Sequence, residues 1–162
     1  MNIKAQLRDL GIELPPPPKP AANYDPSVGF DRLLVISGQL PLLPDGSLLA
    51  AGKVGDEVDL ELARQCARQC VINALAGIDH FFGGSLKNGF DRVLRVGVFV
   101  ASTPSFTDQH LVADAASELL HQVFQGRGRH ARAAVGCSSL PKNAPVEVEV
   151  MIGLTASEHE SD

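Results

Sequence analysis

The sequence predicts an α+β fold, one mixed β-sheet with two helices packed on a single face. Three observations lead there. Residues 146–150, VEVEV, alternate strictly, the period of a strand with one face buried. Two long stretches, 59–80 and 107–124, instead repeat their apolar side chains at helical spacing. The elements read β, β, α, β, α, β, β along the chain, with no convincing internal repeat.

Each element has a local reason. Residues 3–10, IKAQLRDL, suit a short helix stopped by Gly11. The run from Leu14 to Pro20 contains five prolines and favours a stiff polyproline arm laid over the domain. Asn23 to Pro26 is turn chemistry and holds the only tyrosine, Tyr24. Leu33 to Ser37 is a continuous apolar run, expected as a strand buried on both faces. The turn Pro44-Asp45-Gly46-Ser47 predicts a short return strand over 47–51. In the first long helix, Ala63, Ala67, Cys70, Val71, Ala74, Leu75 and Ile78 share one side, and Gly83-Gly84 marks its exit. Residues 93–100, VLRVGVFV, form a strand that Pro104 ends. Ser105 to Asp108 resembles a capping box for the second helix, which buries Leu111, Ala115, Leu119 and Val123. Strands over 131–137 and 146–150 follow, separated by a loop whose Pro141 and Pro145 cannot continue a ladder.

With both helices on one face, the other face needs cover. Val93, Arg95, Gly97 and Phe99 on one strand, with Ala134 and Gly136 on another, are expected to form it. They are too apolar to stand in water, which points to an interface between copies of the chain.

The 162 residues fit one domain, with 44% hydrophobic and 20% charged residues. Residues 1–22 read as a helix and proline-rich arm, 23–155 as the domain, and 156–162 as a tail. A net charge of −5 argues against a nucleic-acid surface, which needs a basic patch. No apolar run is long enough to span a bilayer, and the first residues lack a signal peptide's apolar core. The expected compartment is therefore the cytoplasm. Cys66, Cys70 and Cys137 form no metal-ligand pattern, and no cofactor motif is present.

The chemistry gathers near the end of the chain. Arg132 sits on one strand, and Glu147 and Glu149 on its expected neighbour. A guanidinium grips a carboxylate with two parallel hydrogen bonds, and a nearby glutamate can orient a water. The plainer reading of the same residues is a surface ion pair of small energetic weight. His130 precedes the arginine and is read as structural. His80, His110, His121 and His159 share no motif, and no nucleophile motif occurs.

Five ordered motifs carry a family resemblance: Ser37-Gly38-Gln39-Leu40-Pro41, Val98-Phe99-Val100, His130-Ala131-Arg132, Leu140-Pro141 and Val146-Glu147-Val148-Glu149. Over about residues 20–153 the chain resembles the YjgF/Rid family of reactive-intermediate (imine) deaminases, also called L-PSP. The arm and tail suggest a longer subgroup. The resemblance implies a chorismate-mutase-like fold, a homotrimer with helices outside a barrel of sheets, and small-molecule clefts between subunits. It implies that Arg132 binds the carboxylate of a 2-imino acid or its enamine tautomer, and that Glu147 orients water. The products are then a 2-keto acid and ammonia, with no metal or organic cofactor. It further implies that Tyr24 walls the cleft, that Gly38 permits close backbone approach, and that Ala134 offers its backbone N–H.

Three positions depart from the family pattern. Ala133 stands where Ser or Thr is usual, Ala134 where cysteine is frequent, and Asp114 where Asn is common. A carboxylate beside a bound carboxylate is unfavourable unless it is paired or turned away. These departures motivate a second expectation, a non-catalytic protein that binds small carboxylates in the same clefts.

Overall fold

The computed structural model describes residues 3–17, 23–85 and 89–155. Its elements in chain order are α1 (Ile3–Asp9), β1 (Ser27–Phe30), β2 (Leu33–Gln39), α2 (Leu60–Phe81), β3 (Phe90–Ala101), α3 (Gln109–Phe124), β4 (Ala131–Cys137) and β5 (Val146–Leu154). Short 3₁₀ turns at Gln125–Gly128 and Pro141–Asn143 precede the last two strands. The sheet order is β1-β2-β5-β3-β4. All neighbours are antiparallel except β3 and β4, which run parallel. A parallel pair needs a crossover, and α3 supplies it. This places α3 directly over the β4 edge.

The side chain of Asp59 caps α2 by accepting from the Leu62 N–H at 2.8 Å. The stripe expected from its periodicity, Ala63 to Ile78, is buried, together with Cys66. Burial pushes the Cys66 thiol up to about 11, so it behaves as a small hydrophobe rather than a nucleophile. In α3, Ala115, Leu119 and Val123 are buried, while Leu111 is only half-buried. The expected capping box does not form, because Asp108 is the N-cap and its side chain makes no cap bond. Both helices pack on the sheet face that carries Val96, Val98, Val100, Val146, Val148, Val150 and Ile152. The helix α1 adds Leu7 to this core and ties Lys4 to Asp79 at 3.2 Å. Pro15 to Pro17 lie beside Gln39, Leu42 and Asn73. Pro18 to Pro20 and the tail from residue 156 lie outside the described residues.

Several expectations about the sheet are corrected. Residues 47–51 form no strand; Leu48 makes only an isolated bridge to Leu42. The true partner of β2 is β1, joined through a turn in which Asp31 takes φ 51°. The β2 strand is not buried on both faces, since Leu34 and Ile36 are buried but Leu33 and Val35 are exposed. Val93 faces the core, because the register slips between Val93 and Arg95. Ala134 and Gly136 also face the helices, as they pair with the buried Val98 and Val100.

The open face instead carries Arg95, Gly97 and Phe99 of β3 and Ala131, Ala133 and Val135 of β4. Glu147, Glu149 and Met151 of β5 share it. Val28, Phe30, Leu33, Val35 and Val135 on this face are exposed large hydrophobic side chains. Arg95 and Glu149 are joined there by an ion pair. Among the described residues no helix is long and apolar enough to cross a membrane.

Candidate active site

Because α3 crosses over β4, residues on its inner stripe meet side chains of the edge strand. His110, Asp114 and Ser117 recur at i, i+4 and i+7, one face of a helix. Arg132 reaches that stripe from β4. Its Nη1 donates to Asp114 Oδ1 at 2.8 Å and to Ser117 Oγ at 3.1 Å, and its Nη2 to the His110 carbonyl at 3.4 Å. His130, two residues earlier, extends the network. Its Nδ1 lies 2.6 Å from the Gly128 carbonyl, and its Nε2 lies 2.9 Å from Ser117 Oγ. A carbonyl only accepts, so Nδ1 carries the proton. Burial holds the His130 pKa below the ordinary imidazole value and keeps the ring neutral. Neutral Nε2 then accepts from the Ser117 hydroxyl, whose oxygen accepts from Arg132. Ala134, two residues beyond the arginine on the same face, packs against the core.

A second cluster lies elsewhere on the sheet. Glu147 of β5 is half-buried on the open face, and Gly38 of β2 faces it across a bulge between Ile36 and Gln39. A methyl group at Gly38 would stand 2.8 Å from Cδ and 3.1 Å from Cγ of Glu147. Glycine is therefore the residue that leaves room for this carboxylate. Burial first, and then the charge of Glu149, raise the Glu147 pKa above the ordinary carboxylate value. Ser37 fastens the preceding segment: its hydroxyl donates to the Asp25 carbonyl at 2.7 Å and its N–H to that of Pro26 at 3.0 Å. This holds the segment carrying the exposed Tyr24 beside β2.

The expected site residues thus fall into two groups. Arg132, Ala134 and Asp114 share one; Glu147 and Gly38 share the other, with Tyr24 on the adjoining segment. The expectation that β4 and β5 are neighbours is overturned, since β3 lies between them. Two strand spacings separate their axes by roughly 10 Å, and Arg132 and Glu147 point to opposite faces. In a single chain Arg132 is paired with Asp114, not with Glu147. The cavity under α1 and the arm, about 690 Å³, includes neither residue in its lining. Nor does one of about 470 Å³ beside Ser102, Gln109 and Cys137. Among the described residues no group of His, Cys, Asp and Glu could hold a metal ion.

Ser117 and His130 were not singled out as members of the arginine cluster from sequence. The signal for them existed, in the i, i+4, i+7 spacing on α3 and in the two-residue step from His130 to Arg132.

The profile of the Endoribonuclease L-PSP family matches residues 16–153. The chain belongs to this family. It is the YjgF/Rid group of the resemblance above, and this L-PSP member has full-length relatives. Protein TCP17 of Trypanosoma cruzi is 38% identical over 154 residues, 94% of each chain. The 2-iminobutanoate/2-iminopropanoate deaminase of Dermatophagoides farinae is 26% identical, covering 87% of this chain and 93% of its own. Among solved structures, the protein Atu1372 of Agrobacterium tumefaciens is 41% identical. It superimposes with a TM-score of 0.86 over 96% of this chain and 94% of that one.

Proposed function

We propose that this L-PSP family member is a cofactor-free hydrolytic deaminase of 2-imino acids and their enamine tautomers, acting in clefts between copies of the chain. The observation that carries the reading is the separation of its two clusters. A cation built to grip a carboxylate lies on one face, and a glutamate of raised pKa lies on the other, beyond the reach of one small substrate. A neighbouring subunit docked through the open apolar face supplies the missing half. The resemblance to a family of trimers supports a homotrimer as that assembly, and the Dermatophagoides farinae relative named as a 2-iminobutanoate/2-iminopropanoate deaminase supports the reaction.

Arg132 binds the substrate carboxylate through charge-assisted hydrogen bonds. Glu147 of the adjoining subunit, its pKa raised by burial and by Glu149, accepts a proton from water as that water attacks C2. The C–O bond forms while the C=N π electrons move to nitrogen. That proton returns to nitrogen; the new hydroxyl then gives its own proton to the leaving nitrogen as C=O forms and the C–N bond breaks, releasing ammonia and leaving the 2-keto acid. An enamine substrate first takes a proton at C3 to become the imine. Tyr24 and Gly38 line the glutamate half, and the Ala134 backbone lines the arginine half.

The test is a coupled assay that generates 2-aminoacrylate and follows keto-acid release. A wild-type rate equal to the spontaneous one ends the proposal. The Arg132–Asp114 pair, with Ala133 and Ala134, favours a second reading, a protein that binds small carboxylates without turning them over. Calorimetry with 2-keto acids separates the two, because saturable binding without hydrolysis supports only the second. A ribonuclease role fits poorly with a net charge of −5.

A further inference from the structure

The partner of Arg132 bears on what this site selects. Asp114 Oδ1 and Ser117 Oγ use both protons of Nη1. The Nε–H makes no hydrogen bond among the described residues, and one Nη2 proton goes to a carbonyl at a long 3.4 Å. The Nε–H and the second Nη2 proton therefore remain as donors for a carboxylate. Asp114 Oδ2 likewise has no partner among the described residues, and the Asp114 side chain is 42% exposed. The ion pair therefore keeps both unused guanidinium donors and an unused carboxylate oxygen, with almost no net charge.

We propose that Asp114 makes this site selective for zwitterions, α-iminium or α-ammonium carboxylates, over anionic 2-keto acids. The inference rests on the deaminase reading for its substrate and deepens it. A protonated 2-imino acid carries its carboxylate and its C=NH₂⁺ group on adjacent carbons. The carboxylate takes the unused Arg132 donors, and an iminium N–H donates to Asp114 Oδ2. A keto acid offers a carbonyl oxygen at that position, and two acceptors face each other without a proton between them. Hydrolysis exchanges a donor for an acceptor, so the product is expelled by the group that held the substrate. The same carboxylate favours the protonated imine, the form water attacks most readily.

Two stable probes test this by calorimetry: 2-aminobutanoate as the zwitterion and 2-oxobutanoate as the anion. The wild type is expected to bind the zwitterion about tenfold more tightly, the weight of one charge-assisted hydrogen bond. The near-isosteric Asp114→Asn should lose or invert that preference while its melting temperature stays close to that of the wild type. If Asp114→Asn does not fold, Asp114→Ser carries the same comparison. An unchanged ratio between wild type and variant, or a wild type that prefers the keto acid, overturns the proposal. Imine hydrolysis is measured in parallel. Hydrolysis without the preference refutes the selectivity and keeps the deaminase. The preference without hydrolysis does the reverse.

Discussion

Alanine at Gly38 separates the role of the Glu147 carboxylate from its contribution to stability. The new methyl carbon would stand 2.8 Å from the Glu147 carboxyl carbon and closer still to Oε1, where ordinary contact begins at 3.4 Å. The carboxylate must therefore swing away by about 1 Å, and a misplacement of that size costs up to about a hundredfold in rate. The fold should barely notice. The group that must move is the far end of a flexible side chain, and the Gly38 backbone lies outside the left-handed region. Alanine also restricts the unfolded chain, a gain of about 0.4–1 kcal/mol where the backbone is compatible. Thermal melting should then be unchanged or slightly raised, while kcat/KM in the imine assay falls about ten- to a hundredfold. Full activity in Gly38→Ala would refute the argument that Glu147 acts from its observed position. A loss of several kcal/mol in stability would refute the argument that only the carboxylate yields.

Other consequences are as concrete. Arg132→Ala should lower kcat/KM at least about tenfold, since a charge-assisted contact is worth ~1.5–3 kcal/mol. Because the folded pKa of Glu147 is raised, its contribution to stability is full below the ordinary carboxylate pKa and is lost as pH rises through the folded value. Glu147→Gln should thus melt above the wild type at neutral pH and alongside it in acid, while losing activity. His130 has the opposite sign: its folded pKa is lowered, so stability is full above the ordinary imidazole pKa and falls as pH drops through that value. The loss of melting temperature from about pH 7 to about pH 5 should be shallower in His130→Asn than in the wild type. For assembly, Gly97→Glu is a poor probe, because even its Cβ would crowd Glu149 of the same chain at 2.6 Å. Under the proposed assembly the wild type should scatter as a trimer, and Val35→Glu, on an exposed side chain of the open face, should yield folded 17.2 kDa monomers.

The elements that were legible carry their cause locally. Asp59 and the stripe from Ala63 to Ile78 define α2 without reference to the rest of the chain. The strand expected at 131–137 lies at those residues. Faces and neighbours were less legible, because they depend on single-residue slips. A bulge between Val93 and Arg95 moves Val93 into the core, since a shift of one residue turns a side chain to the other side of a sheet. On β4 the side chains are nearly all small, so polarity does not distinguish Ala131 and Ala133 from Ala134 and Gly136. The missed strand β1 is four residues long, contains a glycine and turns through Asp31, without the dipeptides that mark tight hairpins.

The sequence suggested Arg132 and Glu147 on adjacent strands, and β3 lies between them. Fifteen positions separate Arg132 from Glu147, and a chain that short suggests two adjacent strands. The loop at Pro141–Asn143, with Lys142 at φ 58°, instead carries the chain past β3. The two side chains are held apart by a rigid, fully paired strand, and no rotamer change in one chain brings them together. What the sequence marked as an anomaly, a carboxylate at position 114, becomes the arginine's partner once α3 is placed over β4. The crossover decides both facts at once. Because β4 runs parallel to β3, the connecting helix must lie over the arginine's face. Because β5 pairs with the other side of β3, the glutamate must lie away from it. If Arg132 and Glu147 act on one small molecule, the second chain is a requirement of this topology, independent of any particular substrate.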